Sequence, residues 1–263
     1  MSLLVTRART DQDRRITTVI LVLVTGCAWL ALLIWGFSPY RRFLDHQSLG
    51  QVTALDAPLV LALITSGWIL MILAMMLPTT LPLVNLFRRM VRPRPDHVSL
   101  TILLISGYIA IWAVFGLSVQ VIDLGIHQVV DRVEWVATHS WAIGAAIIMS
   151  AGIYQFSPLK YYCLDKCRSP FNFISAHWKG GNPRVEALRL GLHHGLFCIG
   201  CCWALMLLMF AVGMGNLGWM LALGAAMAIE KNVPSGRRLS VPLGMTLLTW
   251  GLGLVGWGLA TGL

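Results

Sequence analysis

The chain has 263 residues, of which 57% are hydrophobic and only 12% are charged, and its mean hydropathy is +0.73. So little polar surface excludes a water-soluble globule of this size, and we predict an all-α fold, a polytopic bundle of membrane helices. The formal net charge of +9 is explained by membrane topology and by contact with anionic lipids. It gives no reason to expect nucleic acid as a partner.

Seven stretches are long and apolar enough to cross a hydrocarbon core of roughly 30 Å. In chain order they are residues 16–35, 58–77, 99–119, 140–156, 190–212, 217–229 and 241–261. The first exceeds the roughly 7 to 15 residues of a signal-peptide core and lacks a small-residue cleavage pattern, so we expect it to remain as a helix. The sixth is short and must tilt, thin the bilayer or pack beside longer neighbours. We therefore predict a cytoplasmic tail at residues 1–15 and a single membrane domain at residues 16–263.

The distribution of lysine and arginine predicts the orientation of the bundle. Seventeen of the 20 basic residues lie in the N-terminal tail and in the second, fourth and sixth connections. By the positive-inside rule these parts face the cytoplasm, so the N-terminus is inside and the C-terminus outside. The expected location is the bacterial cytoplasmic (inner) membrane.

Two cysteine-rich segments are the most informative feature for function. At about 100° per residue, Cys198, Cys201 and Cys202 share one stripe of the fifth segment with His194. The second and fifth segments cross the membrane in opposite directions. The methionines near the end of the second segment therefore lie at the same depth as these cysteines, in the cytoplasmic half of the bilayer. The candidate metal ligands are Cys198, Cys201, Cys202, His194, Met75, Met206, Cys163 and Cys167, with His193, Met71, Met76, Met209 and Glu230 as secondary candidates.

Thiolate and thioether ligands select Cu(I), whereas thiolate with imidazole also suits zinc. We predict copper first because methionine serves Cu(I) and not zinc, and we keep zinc as the alternative. Cys163 and Cys167 lie four residues apart, on one face if their segment is helical. At the cytoplasmic mouth they could exchange the ion with a cytoplasmic metal donor or acceptor protein.

Each of these residues also has a purely structural interpretation. Methionine is an ordinary packing residue, and buried cysteine behaves as a small hydrophobic side chain. Glu230 and Lys231 lie near a helix end, where they could snorkel or pair with each other, or Glu230 could act as a proton acceptor or hard ligand. A structural disulfide between Cys163 and Cys167 is disfavoured because cytoplasmic thiols are kept reduced.

Several motifs occur in a characteristic order along the chain, at residues 71–78, 152–160, 163–170, 194–206, 216–220 and 230–231. Together they resemble a bacterial family, the domain-of-unknown-function 2182 family, whose members are labelled "predicted metal-binding integral membrane protein". The resemblance implies a bundle of membrane helices with a metal site. One departure is Gly215, where many members of the family have a methionine.

The leading hypothesis for function is a membrane protein that handles Cu(I), by transport or by delivery to a copper enzyme, and the sequence favours this role over that of an enzyme. The sequence has no Gly-rich loop ending in Gly-Lys-Ser/Thr, so movement of the ion would be passive, ion-coupled or driven by a partner. One alternative is a membrane thiol or haem oxidoreductase, although adjacent Cys201 and Cys202 would form a strained disulfide. Another is an accessory subunit that packs small-residue helix faces, such as the one with Gly251 and Gly258, against a larger membrane complex.

Overall fold

The computed structural model describes residues 2–38, 57–130, 132, 140–212 and 216–261. All regular secondary structure in these ranges is helical, which confirms the all-α prediction. Short 3-10 turns at Leu77–Thr80 and Gly236–Leu239 lead into α3 and α10. The helices are α1 Ser2–Gly36, α2 Ala57–Met75, α3 Leu81–Val91, α4 His97–Val130, α5 Ser140–Tyr154, α6 Pro158–Arg168, α7 Pro170–His177, α8 Pro183–Val212, α9 Leu217–Asn232 and α10 Ser240–Thr261.

A helix occupies each of the seven apolar segments, but not every one is long enough to cross a bilayer alone. Four stretches qualify by length and composition: Arg15–Gly36, His97–Asp123, Pro183–Met209 and Gly236–Thr261. Two bent pairs, α2 with α3 and α5 with α6, raise the number to six if each pair is one span. Helix α9 has 16 residues, about 24 Å at 1.5 Å per residue. The described residues therefore contain four to six candidate spans, while seven spans and the N-in, C-out orientation stay predictions.

Local sequence signals determine where several helices begin. Asn182 accepts a hydrogen bond at its Oδ1 from the Arg184 backbone N–H at 3.1 Å, and Pro183 is the first residue of α8. Asn216 accepts from the Trp219 N–H at 3.2 Å and caps α9 in the same way. Each cap satisfies a donor that a helix start leaves without an intrahelical partner.

Pro78 marks the break between α2 and α3. Proline has no backbone N–H to donate, so α2 ends at Met75, and the chain passes through a 3-10 turn before α3. The two helical stretches differ in direction by 46°. Met76 lies at this break and is fully buried.

Helices α4 and α8 pack with their backbones in close approach, and glycine makes this possible. A Cβ at Gly191 of α8 would overlap the Leu104 carbonyl of α4, and one at Gly107 would overlap the Leu188 carbonyl. The contact holds α8 firmly along α4. This arrangement positions the cysteine-bearing turn of α8 at the centre of the bundle.

Two shorter helices line one end of the bundle. Helix α3 buries Phe87 and exposes Arg89, with Arg88 half-buried, as an amphipathic helix does. The Phe87 ring contacts Trp178, directly after α7, with ring centroids 5.5 Å apart. Sequence periodicity did not separate α3, α6 and α7 from the connections between spans.

Candidate metal centre

Three buried thiols form a compact cluster on α8. The Sγ atoms of Cys198, Cys201 and Cys202 all lie within 4.8 Å of one another, and each residue is at most 2% exposed. The thiols of Cys201 and Cys202 donate to the Cys198 carbonyl at 3.0 and 2.9 Å. Cys201 and Cys202 lie three and four residues after Cys198, which is about one helical turn in each case. This spacing brings the three sulfurs together, as predicted from the sequence.

Met76 provides a thioether on the other side of the cluster. Its Sδ lies 3.9 Å from the Cys202 Sγ. The neighbouring Met75 packs instead against Gly224 of α9, although the sequence favoured it over Met76 as a ligand. The remaining candidate methionines are buried in the surrounding core: Met71, Met206 and Met209.

Helix α6 directs its two cysteines towards α8. The Cys167 thiol lies next to that of Cys201. Cys163 lies against Gly200, where the absence of a Cβ leaves space for its sulfur. The helical structure of residues 158–168 thus puts both thiols on one face, and Cys167 extends the sulfur cluster from α8 to α6.

Lys231, near the end of α9, inserts its amine among the sulfurs. Its Nζ lies 2.9 Å from the Cys198 Sγ, 3.9 Å from the Cys202 Sγ and 3.7 Å from the Met76 Sδ. It also donates to the Thr79 hydroxyl at 3.4 Å, and the residue is only 7% exposed. Lys231 is not among the site residues predicted from the sequence. The sequence feature that could have identified it is its position at the end of an apolar segment, because a basic group inside a membrane bundle requires a hydrogen-bond acceptor or an anion.

Glu230 is engaged in a buried ion pair. Its Oε1 accepts from the Lys160 Nζ at 2.6 Å and from the Ser240 hydroxyl at 2.7 Å. The Lys160 and Glu230 side chains are 0% and 2% exposed, and Lys160 also donates to Gln155. The pair joins the α5–α6 break to the end of α9 and the start of α10. Glu230 therefore fixes the helix end that carries Lys231, and the structure places it outside the three-cysteine cluster.

Arg168 reinforces the same helix end. Its guanidinium donates to the backbone carbonyls of Glu230, Val233 and Pro234, with distances of 2.8 and 2.7 Å to the last two. The Glu230 carbonyl is one of those that a helix C-terminus leaves without an intrahelical donor, and the other two belong to the turn that follows α9. Arg168 and the Lys160–Glu230 ion pair together hold the end of α9 in place, and with it Lys231.

Two aromatic and three imidazole side chains lie on the side of the cluster that faces α4 and α7. The Tyr108 hydroxyl lies 3.1 Å from the Cys198 Sγ, a contact that the sequence did not predict. The His194 ring packs against Tyr108 and Phe173, with centroids 5.6 and 5.4 Å apart, and its Nδ1 is buried without a hydrogen-bond partner. His193 faces His177 of α7, with ring centroids 5.1 Å apart.

The sulfur geometry fits one soft metal ion. A metal–thiolate bond is about 2.3 Å long in zinc sites, so two sulfurs on one ion lie at most about 4.6 Å apart. The 4.8 Å limit of the cluster exceeds this by a few tenths of an ångström, which side-chain rotation supplies. One monovalent ion with two thiolates carries a net charge of −1, and the adjacent Lys231 ammonium compensates it within a low-dielectric interior.

Comparison with known proteins agrees with this chemistry. A family model described as "PpoB2: Copper chaperone" matches residues 65–254, a range that includes the cysteines, Met76 and Lys231. No curated protein and no solved structure matches the chain. The domain-of-unknown-function label stays a prediction. The match covers well over half of the sequence, and the chain belongs to the PpoB2 family of copper chaperones.

Proposed function

We propose that this protein is a membrane-embedded copper chaperone that holds Cu(I) between Cys198, Cys202 and Met76. The observation that carries the proposal is the buried cluster of three thiols with a thioether 3.9 Å from one of them. Copper-chaperone family membership supports the same ion. The apolar helices support a membrane location, which we place in the bacterial inner membrane.

The donor set favours Cu(I) over zinc. Thioether sulfur is a good ligand for Cu(I), and structural zinc sites use four cysteine, histidine or carboxylate ligands. The Lys231 ammonium balances a monovalent ion with two thiolates, whereas a divalent ion with the same two thiolates is neutral without it. A buried cation with no net negative charge beside it costs several kcal/mol.

The contacts around Cys201 support a route for the ion. Cys201 belongs to the three-thiol cluster, and the Cys167 thiol of α6 lies next to it. Cu(I) passes from one pair of thiolates to the next when one copper–sulfur bond forms as another breaks, with no change in oxidation state. Cys167 and Cys163 would then exchange the ion with a donor or acceptor protein, and delivery to a copper enzyme is the expected outcome.

Copper content and Cu(I) affinity of the purified protein test the proposal. The variant Cys198→Ser, Cys201→Ser, Cys202→Ser is compared with wild type by competition against a Cu(I) chelator. Cys27→Ser is the matched control, because Cys27 is exposed on α1 and outside the cluster. We expect one tightly bound Cu(I) in wild type and in Cys27→Ser, and its loss in the triple variant with helix content unchanged.

Two results would contradict the proposal. Equal copper affinity in wild type and the triple variant would exclude the α8 thiols as ligands. A wild-type protein that binds zinc and not Cu(I) at these cysteines would exclude a copper function for the site.

A further inference from the structure

A second group of metal-binding side chains lies beside the cysteine cluster, where α7 packs on α8. The rings of His177 and His193 have centroids 5.1 Å apart and an interplanar angle of 44°. Both residues are half-buried. Two imidazoles on different helices at this separation are close enough for a single ion to reach a nitrogen of each.

The tautomer of His177 leaves one nitrogen available. Its Nδ1 lies 2.8 Å from the Phe173 carbonyl oxygen, and a carbonyl only accepts, so Nδ1 carries the hydrogen. The lone pair is then on Nε2. The ring also stacks on Phe173 with centroids 4.4 Å apart. A backbone carbonyl that orients the far nitrogen of a histidine is the usual support of a metal-ligating imidazole.

His194 connects this pair with the thiols. Its side chain is 4% exposed, and its Nδ1 is buried without a hydrogen-bond partner. A buried polar nitrogen without a partner costs free energy unless a ligand satisfies it. The His194 ring packs on Tyr108 with centroids 5.6 Å apart, and the Tyr108 hydroxyl lies 3.1 Å from the Cys198 Sγ. Three imidazoles thus lead from the half-buried end of α7 to the buried sulfurs.

We propose that His177 and His193 form a second, shallower Cu(I) site that captures the ion and passes it through His194 to the cysteine cluster. Imidazole binds copper, but thiolate and thioether ligands bind Cu(I) preferentially, so the ion moves inward down a gradient of affinity. Each transfer forms one copper–ligand bond as another breaks, and copper stays in the +1 state. The proton lost by the accepting thiol passes to the imidazole nitrogen that the ion vacates.

This inference rests on the proposed function only for the direction of transfer, because the histidine site is independent of the thiols. A variant with serine at Cys163, Cys167, Cys198, Cys201 and Cys202 isolates it. We expect this five-serine variant to retain one weakly bound Cu(I) with imidazole ligation in X-ray absorption spectra. Adding His177→Ala should abolish that signal, whereas adding His97→Ala should not, since His97 lies at the start of α4 and its Nδ1 contacts the Arg94 carbonyl.

Loading kinetics provide a second measurement that does not depend on the folding of the five-serine variant. In otherwise wild-type protein, His177→Ala should leave the final copper content of the cysteine cluster unchanged but slow its loading. Loss of a ligand or its support lowers metal affinity by about 10- to 100-fold, and loading at low copper slows in proportion to the occupancy of the capture site. His97→Ala should load at the wild-type rate.

The outcomes separate the two proposals. Loading of His177→Ala at the wild-type rate, or a five-serine variant without imidazole-bound copper, would overturn the histidine site. If the five-serine variant binds copper as tightly as wild type, the proposed function of the cysteines fails while the histidine site stands.

Discussion

The substitution Lys231→Gln removes the positive charge that lies against the cysteine cluster and keeps a side chain able to donate a hydrogen bond. We expect Cu(I) affinity to fall by about two orders of magnitude. The bound ion with two thiolates carries one net negative charge, and the Lys231 Nζ lies 2.9 and 3.9 Å from the Sγ atoms of Cys198 and Cys202. In the variant this charge is buried without compensation.

The magnitude follows from these distances. With an effective dielectric constant of about 20, unit charges at the two separations attract each other by roughly 6 and 4 kcal/mol. Breaking a buried ion pair costs about 3 to 5 kcal/mol. Lys231 also stabilises any thiolate in the copper-free site. Only the difference between its stabilisation of the copper-bound and copper-free states changes the affinity, so we take the lower end of this range. About 3 kcal/mol corresponds to a loss of affinity of roughly 100-fold.

Chelator competition at fixed pH measures this change, with Lys231→Arg as the variant that keeps the charge. We expect Lys231→Arg to bind Cu(I) more tightly than Lys231→Gln. Unchanged or tighter binding by a folded Lys231→Gln protein would refute the reasoning, because it would mean that the ammonium competes with copper for the space between the sulfurs.

Three further predictions concern residues around the site. Tyr108→Phe should weaken Cu(I) binding by about 10- to 100-fold in the same assay, because its hydroxyl supports a ligand sulfur; wild-type affinity would exclude that role. Lys160→Met should lower the free energy of unfolding in detergent by about 3 to 5 kcal/mol, and adding Glu230→Gln should restore most of it, since the loss comes from an unpaired buried carboxylate. Gly191→Ala should destabilise the protein by about 1 to 3 kcal/mol through steric overlap with α4. Gly253→Ala, which has open space, should be neutral or stabilising in the same unfolding measurement.

Much of the helical architecture could be predicted because it depends on local properties of the sequence. Runs of apolar residues locate the helices, and Asn182 with Pro183 identifies the start of α8. The common stripe of Cys198 and Cys202 follows from helical periodicity alone, and the structure brings their sulfurs together. The number of spans is harder to predict, since length and hydropathy do not tell a bent pair of helices from two separate elements.

The rest of the site depends on contacts between distant segments. Periodicity along α2 favoured Met75, but the break at Pro78 leaves Met76 facing Cys202. From the sequence alone, Lys231 resembles an interfacial lysine, because its partners at the α2–α3 break and on α8 are not apparent. A sequence pattern without tertiary contacts contains no information on which helix presents which face to a buried amine.

The break between α2 and α3 allows one of the four clustered sulfurs, that of Met76, to move independently of the three thiols. The three thiols belong to one uninterrupted helix and move together, whereas Met76 lies at a joint between two helical arms set at 46°. A rotation of α3 about this joint shifts the thioether and leaves the thiols in place. A protein that binds the solvent-exposed side of α3 would thereby weaken the Met76–copper bond of the proposed site, while the bonds to the thiolates stay in place.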